Sequence, residues 1–362
     1  MILSRLSIVN FKNIAQADLV FSPGLNCFLG NNGMGKTNLL DAVYYLSFCK
    51  SFNNVVDSQN IRHEQDFFII QGFYDLDGKD EEFYCGMKRR QKKQFKRNKK
   101  EYERLSDHIG FIPLVMASPA DTDLISGGSE ERRKFIDLVI SQSDKGYLDA
   151  LIRYNKALVQ RNALLKAETE ADNAIFEIWE EQMEAYGRFI FERRSQFIKQ
   201  FIPVFQEFYR FISSDNEKVG IEYESDAAEG DLRELLLQSR LRDRILGHST
   251  KGVHRDDLQF SLGEYPMKRI ASQGQTKTFL IALKLAQFEF LKQTGHTEPL
   301  LLLDDIFDKL DADRVEQIVK IVGGEMFGQV FITDTNRGHI DDILRAQAVD
   351  YKLFTVTGGE IS

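Results

Sequence analysis

The sequence predicts an α/β protein in which a lobe with a mixed sheet and a phosphate-binding loop is interrupted by a helical second lobe. Three observations support this prediction. A glycine-rich loop lies between an apolar run and a helical pattern, the middle of the chain has helical periodicity, and strand and helix patterns alternate again after residue 250. We expect residues 1–120 and 250–362 to form the first lobe and residues 121–249 the second.

The first third of the chain is rich in predicted strands. Apolar and polar residues alternate over residues 6–8 and 17–21, which is the period of a half-buried strand. The apolar run at 25–29 predicts a buried strand, and residues 37–48 have the spacing of a helix. Further strands are predicted at 67–73, 82–87 and 112–116.

A strongly basic stretch runs from Lys88 to Lys100, between two of the predicted strands. It holds nine Lys and Arg residues and no acidic residue. Such a local excess of positive charge can bind phosphates even on a chain whose net charge is −8. A DNA-binding surface and a solvated hairpin tip explain it equally well. The candidate DNA contacts are Lys92, Lys93, Lys96 and Arg97.

The middle of the chain is predicted to be helical. Residues 132–212 contain few helix breakers, and apolar residues recur with heptad-like spacing over 147–165 and again over 186–208. Pro203 should kink or interrupt the second of these helices. After residue 250 the sequence predicts a long helix at 275–292 and buried strands at 300–303 and 330–333.

The phosphate-binding loop runs from Gly30 to Thr37 and matches G-x-x-x-x-G-K-[ST] at every fixed position. Lys36 would reach the β- and γ-phosphate oxygens of ATP, and the Thr37 hydroxyl would take one Mg²⁺ position. We expect Lys36 to face solvent when no ligand is bound. The predicted ATP-binding residues of the loop are Gly30, Asn31, Asn32, Gly33, Met34, Gly35, Lys36 and Thr37.

Two carboxylates, Asp304 and Asp305, follow the predicted strand at 300–303. Taken alone, this pattern is more typical of a buried strand with a polar end. Beside a phosphate loop it favours a catalytic interpretation, in which Asp304 holds Mg²⁺ through water and Asp305 orients or deprotonates the attacking water. The segment Ser272–Gln275 also has two interpretations. Taken alone it is more typical of a helix cap, but its position 32 residues before Asp304 favours a contact with an anion.

Composition limits the class of protein. The length of 362 residues suits two lobes, and no run of eighteen apolar residues could span a membrane. The N-terminus lacks the pattern of a signal peptide, and the three cysteines have no metal or disulfide spacing. We therefore expect a cytoplasmic protein.

The order of phosphate loop, S-Q-G-Q and L-L-L-L-D-D resembles that of ATP-binding-cassette (ABC-type) P-loop ATPases. The segment Gly252–Leu258, G-V-H-R-D-D-L, narrows the resemblance to the RecF family of recombination-mediator ATPases, whose segment reads G-P-H-R-D-D-L. The stretches Asn10–Asn13, Ser118-Pro119 and Glu131–Asp137 are similar to this family as well. The resemblance covers both predicted lobes.

This resemblance implies a cassette-type ATPase lobe with a helical second lobe and without the long arms of SMC proteins. It also implies a homodimer that closes on ATP, so that Ser272, Gly274 and Gln275 reach the γ-phosphate held by the other subunit. Ser272 and Asp305 would then be the catalytic residues of a weak, DNA-stimulated ATPase. The closed dimer would hold gapped DNA or single-strand/double-strand junctions and work with RecR and RecO to load RecA.

The chain departs from the family pattern at several positions. Asp305 replaces the Glu common in transporters, and because the shorter carboxylate reaches water less well, slow hydrolysis is expected. The other departures are Val253 for Pro, Asn53 for a basic residue, Asp308-Lys309 for Ser-Glu, and Asp334 where cassette ATPases often place His.

Three interpretations of the chain remain open at this point. The leading one is an ATP-dependent DNA clamp of gap repair. The alternatives are the ATPase subunit of a membrane transporter and a small-molecule P-loop kinase. For the segment 254–257, a polar network joining the two lobes is favoured over a metal or catalytic site.

Overall fold

The protein is described here from a computed structural model, which covers residues 1–362 except 54–55, 168–171, 215–216, 296, 309, 325 and 336–350. The chain forms two compact units. The first contains Met1–Asp121, Phe208–Asp215 and Ser272–Ser362, and the second contains Thr122–Glu207 and Asn216–Ala271. Residues 250–271, which the sequence placed in the first lobe, thus lie in the second unit, because a strand at 257–262 pairs with one at 219–224.

The elements are numbered along the chain. The described strands are β1 Ile2–Phe11, β2 Ile14–Val20, β3 Leu25–Leu29, β4 Phe67–Leu76, β5 Lys79–Lys88, β6 Gln94–Arg97, β7 Lys100–Glu101, β8 Leu114–Ala117, β9 Val219–Glu224, β10 Asp257–Leu262, β11 Tyr265–Pro266, β12 Leu300–Asp304, β13 Val330–Asp334, β14 Tyr351–Thr357 and β15 Glu360–Ile361. The described α-helices are α1 Lys36–Phe48, α2 Asp123–Ser126, α3 Ser129–Ser143, α4 Lys145–Lys166, α5 Asn173–Ser213, α6 Leu232–Leu246, α7 Met267–Ile270, α8 Gln273–Thr294 and α9 Ala312–Val322.

The first unit contains two six-stranded sheets. One is antiparallel, in the order β2-β1-β4-β5-β6-β7. The other has the order β15-β14-β3-β13-β12-β8, and its strands are parallel except for β15. Strands β3, β12 and β13 are buried along their whole length, as central parallel strands are. This is the mixed sheet that the sequence predicts.

The parallel strands of this sheet bring several polar segments to one edge. Their carboxyl ends point the same way, so the residues that follow β3, β12 and β13 meet at the same edge of the sheet. The loop 30–37 follows β3, Asp305 follows β12, and β13 ends at Asp334. Phe28 stacks on Phe354 of the neighbouring strand at a centroid distance of 4.9 Å, which packs the sheet next to that edge.

The second unit combines helices α3, α4 and α6 and most of α5 with a small antiparallel sheet, β11-β10-β9. Pro203 was expected to kink or interrupt this helix, and α5 continues through it without interruption. The missing Pro203 N–H removes one backbone hydrogen bond. The buried side chains of Phe197, Phe201 and Phe205 on either side of it offset this loss. No helix among the described residues is long and apolar enough to cross a membrane.

A buried histidine links α1 to the loop before β8. His108 Nε2 lies 2.7 Å from the carbonyl oxygen of Leu46, and its Nδ1 lies 3.1 Å from the hydroxyl of Tyr102. A carbonyl can only accept, so Nε2 carries the proton and Nδ1 accepts from Tyr102. Burial lowers the pKa of His108 to about 4, so the ring is neutral near pH 7.

This histidine should make the stability of the protein depend on pH. In the unfolded chain a histidine takes up its proton near pH 6.5, whereas folded His108 does so only near pH 4. The contribution of His108 is therefore complete above pH 6.5 and falls as the pH drops towards 4, by about 3 kcal/mol in all. His108→Gln should reduce the slope of unfolding free energy against pH by up to about 1.4 kcal/mol per unit in this window.

Urea denaturation at pH 6.5, 5.5 and 4.5 measures this slope. The matched control is His63→Gln, because the side chain of His63 is 96% exposed. The control should keep the wild-type slope. An unchanged slope for His108→Gln would show that His108 is not held neutral by the fold.

Candidate nucleotide-binding site

The phosphate loop joins β3 to α1 and is shaped by two glycines in the left-handed region. Gly33 has φ 80° and Gly35 has φ 111°, conformations that other residues rarely adopt. Gly35 is also the N-cap of α1. A Cβ atom at Gly35 would lie 2.7 Å from Asn13 Nδ2, so any other residue there would also displace the Asn13 amide. Strand, glycine loop and helix follow one another as the sequence predicts.

The loop is supported from behind by residues far away in the sequence. Asn13, in the turn between β1 and β2, donates from Nδ2 to the carbonyl oxygen of Met34 at 3.2 Å. Its Oδ1 accepts from Asn38 Nδ2 at 2.7 Å, and the N–H of Gly359 also donates to Met34 O at 2.9 Å. Sequence reasoning noted Asn13 only as part of a family motif. The Gly358-Gly359 pair is a turn signal, but nothing in the sequence shows which segment that turn touches.

Lys36 is buried at the start of α1, with only 5% of its surface exposed. Its ammonium donates to the carbonyl oxygens of Gly30, at 2.5 Å, and Asn31, at 3.1 Å. The expectation that Lys36 faces solvent in the absence of ligand is therefore wrong. The carbonyl groups of the loop itself satisfy the charged group, and the helical backbone directs it into the loop.

Asp304 connects three elements at the end of β12. Its carboxylate accepts from Thr37 Oγ1, at 2.8 and 3.0 Å to the two oxygens, and from Thr333 Oγ1 at 2.8 Å. Thr333 Oγ1 in turn accepts from the N–H of Asp305 at 2.9 Å. Burial raises the pKa of Asp304, and the two threonine hydroxyls partly offset this rise. Sequence reasoning missed the role of Thr333, because the contact depends on β12 and β13 being neighbours.

A cavity of about 150 Å³ lies at the loop. Asp305 reaches it from the end of β12, where its backbone adopts a positive φ of 49°. Burial raises the pKa of Asp305, and nearby Lys36 lowers it in part. The residues that line the cavity are Asn32, Gly33, Gly35, Lys36, Thr37, Asn38 and Asp305.

The oxygen atoms at this site suit a magnesium ion. Thr37 Oγ1 and the Asp304 carboxylate are hard oxygen donors that already lie within hydrogen-bonding distance of one another. Mg²⁺ is usually held by one or two carboxylates and completed by phosphate oxygens and water. Among the described residues, no group of three or more His, Cys, Asp or Glu side chains could form an all-protein metal cage. The donor set therefore fits a nucleotide-associated metal.

The structure does not bring Ser272, Gly274 and Gln275 to this cavity. Ser272 caps α8: its Oγ accepts from the N–H of Gln275 at 3.2 Å, and its N–H donates to Gln275 Oε1 at 2.8 Å. Both contacts are exposed, and none of the three residues lines the loop cavity. Within one chain, the segment is a helix cap. Of the pair Asp308-Lys309, which replaces the Ser-Glu of the family pattern, Lys309 lies outside the described residues.

The four basic candidates for DNA contact have different surroundings. Lys93 donates to the Asp57 carboxylate at 2.7 Å and to the carbonyl oxygen of Cys49, and its side chain is 11% exposed. Arg97 forms a two-point ion pair with Glu81, with both distances 2.8 Å. Lys96 is half-buried over the ring of Tyr84, whereas Lys92 is exposed. The sequence-based prediction gave all four residues the same role in DNA contact, because charge spacing does not reveal the partner of each side chain.

The segment 254–257 forms a polar network inside the second unit. His254 Nδ1 lies 2.9 Å from the Tyr154 hydroxyl, and Asp256 Oδ2 accepts from Arg194 at 2.7 Å. Asp257 forms a two-point ion pair with Arg132, at 2.7 and 3.0 Å. These partners all belong to the same unit, so the expected network is present but not in the form of a bridge between lobes.

Comparison with known proteins identifies the family. A family model described as the RecF/RecN/SMC N-terminal domain matches residues 2–357. The DNA replication and repair protein RecF of Phocaeicola vulgatus is 67% identical over 100% of this chain and 98% of the relative. RecF of Bacteroides fragilis strain YCH46 is 66% identical, with the same coverage.

Solved structures agree with this result. A structure of the recombination mediator protein RecF with ATP, in the RecFOR pathway, is 30% identical, with a TM-score of 0.88 over 100% of this chain and 97% of the other. An Smc head domain from Pyrococcus furiosus, 16% identical with a TM-score of 0.59 over 100% of this chain and 95% of the other, shares the fold. The predicted fold class is thereby confirmed. Because the relatives are DNA replication and repair proteins, the interpretation as a transporter ATPase subunit is set aside. The chain belongs to the RecF family.

Proposed function

We propose that this protein is an ATP-binding recombination mediator of DNA replication and repair, which closes on DNA as a homodimer and hydrolyses ATP slowly. The observation that carries the proposal is the contact between Thr37 and Asp304 beside the loop cavity. It joins the phosphate loop to the end of β12, across 267 positions of the sequence. The relatives named RecF, and the RecF structure with ATP, support the same conclusion.

ATP binding would exchange internal contacts for phosphate contacts. The ammonium of Lys36 would leave the carbonyls of Gly30 and Asn31 for the β- and γ-phosphate oxygens. The N–H groups of the loop and the N-terminus of α1 would add partial positive charge. Mg²⁺, held by Thr37 and by Asp304 through water, would neutralise charge on the phosphates.

Asp305 is the residue best placed to handle the attacking water. It lines the loop cavity, and its N–H is fixed by Thr333. An aspartate reaches a shorter distance than a glutamate at the same backbone position, which supports slow hydrolysis to ADP and phosphate. Burial raises the pKa of Asp305, which suits a proton acceptor.

The second half of each nucleotide site would come from another copy of the chain. Ser272 and the N-terminus of α8 are exposed, and they do not line the cavity of their own chain. In a dimer, Ser272, Gly274 and Gln275 of one copy would contact the γ-phosphate bound by the other copy. They would thereby complete the nucleotide site of that other copy. This arrangement would explain why the N-terminus of α8 is left on the surface.

DNA is the proposed macromolecular ligand, in the form of gapped duplex or single-strand/double-strand junctions. Exposed basic side chains of the 88–100 stretch, such as that of Lys92, would contact the DNA phosphates. RecR and RecO are proposed partners, since the solved relative is assigned to the RecFOR pathway. The proposed location is the cytoplasm.

Replacing Asp305 with Asn should slow ATP hydrolysis by at least about tenfold, because the amide cannot accept a proton. ATP affinity should stay within about twofold of wild type, since the amide has almost the same shape. Wild-type hydrolysis should increase as the pH rises through the pKa of Asp305, and the variant should lose this dependence. Steady-state hydrolysis with DNA, and ATP titration, measure the two effects.

The control is Asp313→Asn, which neutralises an exposed carboxylate that does not line the cavity. It should hydrolyse ATP at the wild-type rate. If Asp305→Asn hydrolysed ATP at the wild-type rate, a group other than Asp305 would have to orient or deprotonate the attacking water.

Lys92 and Lys93 offer a matched pair for the basic stretch. Lys92→Gln should make the log–log salt dependence of duplex binding shallower by roughly 0.9, the effect of one lost phosphate contact. Lys93→Gln should instead lower thermal stability and leave the salt slope alone, because Asp57 loses its counter-ion. The reverse pattern, with the slope responding to Lys93 and not to Lys92, would contradict this placement of the DNA surface.

Ser272→Arg tests the shared site. In a self-contained ATPase the loss of a helix cap costs only about 1 kcal/mol of stability and leaves hydrolysis intact. In the shared site a bulky cation should block closure, so each monomer still binds ATP but ATP-dependent dimers and DNA-stimulated hydrolysis disappear together. Sedimentation with and without ATP measures dimer formation.

A mixture of Ser272→Arg with Lys36→Ala is the complementary test. Mixed dimers would hold one intact site and one site with both changes, so the mixture should regain part of the activity that each variant lacks alone. A Ser272→Arg protein that dimerises normally on ATP would rule out the shared arrangement.

A further inference from the structure

The second unit contains a cavity of about 260 Å³ that the proposed function does not use. It lies between α3, α4 and the short 3₁₀ turn Val253–Arg255. Charged and polar side chains dominate its lining, among them Arg133, Lys134, Asp137, Tyr154, Asn155 and His254. All of these residues belong to the second unit, so the cavity is separate from the phosphate loop.

Most of the charges around this cavity are already compensated. Arg194 Nη2 pairs with Asp137 at 2.8 Å, and its Nη1 pairs with Asp256 at 2.7 Å. Lys134 lies between Glu130, at 2.9 Å, and Glu131, at 3.0 Å. These pairs therefore leave no strong demand for an external ion.

Arg133 is different. Its Nη1 donates to the carbonyl oxygen of Asp256 at 2.6 Å, but no carboxylate among the described residues comes within ion-pairing distance of it. Its neighbour Arg132, on the same helix, has the Asp257 carboxylate as a two-point partner. Burial and the nearby charge of Arg194 lower the pKa of Arg133, and the more distant carboxylates of Asp256, Asp257 and Asp137 offset this only in part.

The histidine beside it does not supply the missing charge balance. His254 Nε2 lies 3.0 Å from the carbonyl oxygen of Ser249, so this nitrogen donates, and Nδ1 accepts from the Tyr154 hydroxyl. Burial lowers the pKa of His254 to about 4, so the ring is neutral near pH 7. Arg133 is therefore the cation at the cavity wall that has no ion-pair partner among the described residues.

We propose that this cavity binds a phosphate group, with the guanidinium of Arg133 as its principal ligand. A guanidinium presents a planar fork of donors that matches two phosphate oxygens. The amide of Asn155, also on the cavity wall, supplies a further donor. The volume leaves room for a phosphate and for part of the group that carries it.

The phosphate could belong to a free phosphate ester or to a nucleic-acid strand, since both present the same oxygens. The proposal does not depend on the nucleotide site in the first unit. The test therefore uses protein with Lys36→Ala, which removes the phosphate ligand of the loop, as its parent. Inorganic phosphate is titrated calorimetrically against this parent at constant ionic strength, and against the parent with Arg133→Gln, Arg133→Lys or Arg153→Gln added.

The parent should bind phosphate, and Arg133→Gln should weaken binding at least about tenfold, the loss expected for a charge-assisted contact. Arg133→Lys should fall between the two, because a point charge cannot donate two parallel bonds. Arg153→Gln, which changes an exposed arginine on α4 already paired with Asp149, should bind like the parent. Absence of binding to the parent, or equal binding by Arg133→Gln, would overturn the proposal.

Hydrogen exchange on the unmodified protein localises the site independently of any variant. Phosphate should slow amide exchange in residues 130–137 and 151–155, and protection confined to the phosphate loop would overturn the proposal.

Adenosine monophosphate and an oligonucleotide without terminal phosphates then distinguish a free phosphate ester from a nucleic-acid strand as the source of the phosphate. Arg133-dependent binding of the first identifies a phosphate monoester, and Arg133-dependent binding of the second identifies a strand phosphate.

Discussion

The buried carboxylate of Asp304 is the constraint on which the proposed nucleotide site depends. It is almost fully buried at the end of β12, and a buried carboxylate is costly unless hydrogen bonds satisfy it. Its partners come from α1 through Thr37 and from β13 through Thr333. Both hydroxyls can reach it only if β3, β13 and β12 lie side by side in parallel. The polar requirement of one side chain thus sets the positions of the loop, of Asp305 and of the cavity between them.

The residues of the proposed nucleotide site hold one another in place. Lys36 points into the loop, where its ammonium donates to two carbonyl oxygens, and Thr37 donates to Asp304. Under the proposed function, binding would exchange one set of polar contacts for another and would order few additional side chains. A site of this kind loses little conformational entropy on binding, so more of the contact energy is available for affinity.

Local patterns predicted much of this architecture, whereas long-range partners were not predictable. The buried strand at 25–29, the loop and α1 follow from apolar runs, glycine spacing and helical periodicity, and the structure has them almost as expected. The supports of the loop are different in kind. Asn13 and Gly359 meet at Met34 although hundreds of residues separate them, and no periodicity encodes that meeting.

Charge patterns had the same limit. Lys92 and Lys93 are adjacent in one basic run, but only the fold shows that Lys93 turns inward to Asp57. Arg132 and Arg133 likewise look alike in sequence, yet within the described part of the chain only Arg132 has a carboxylate partner. In both pairs the side-chain environment is set by a strand or loop that is distant in the chain.

The pairing of β14 with β3 has a consequence for how the protein is made. The strand that leads into the phosphate loop has β14 as one parallel neighbour, and the turn after β14 holds the carbonyl of Met34. A ribosome finishes residues 25–37 long before it reaches 351–361. The support that β14 and the turn after it give to the loop therefore arrives only at the end of synthesis, after all residues of the second unit have been made.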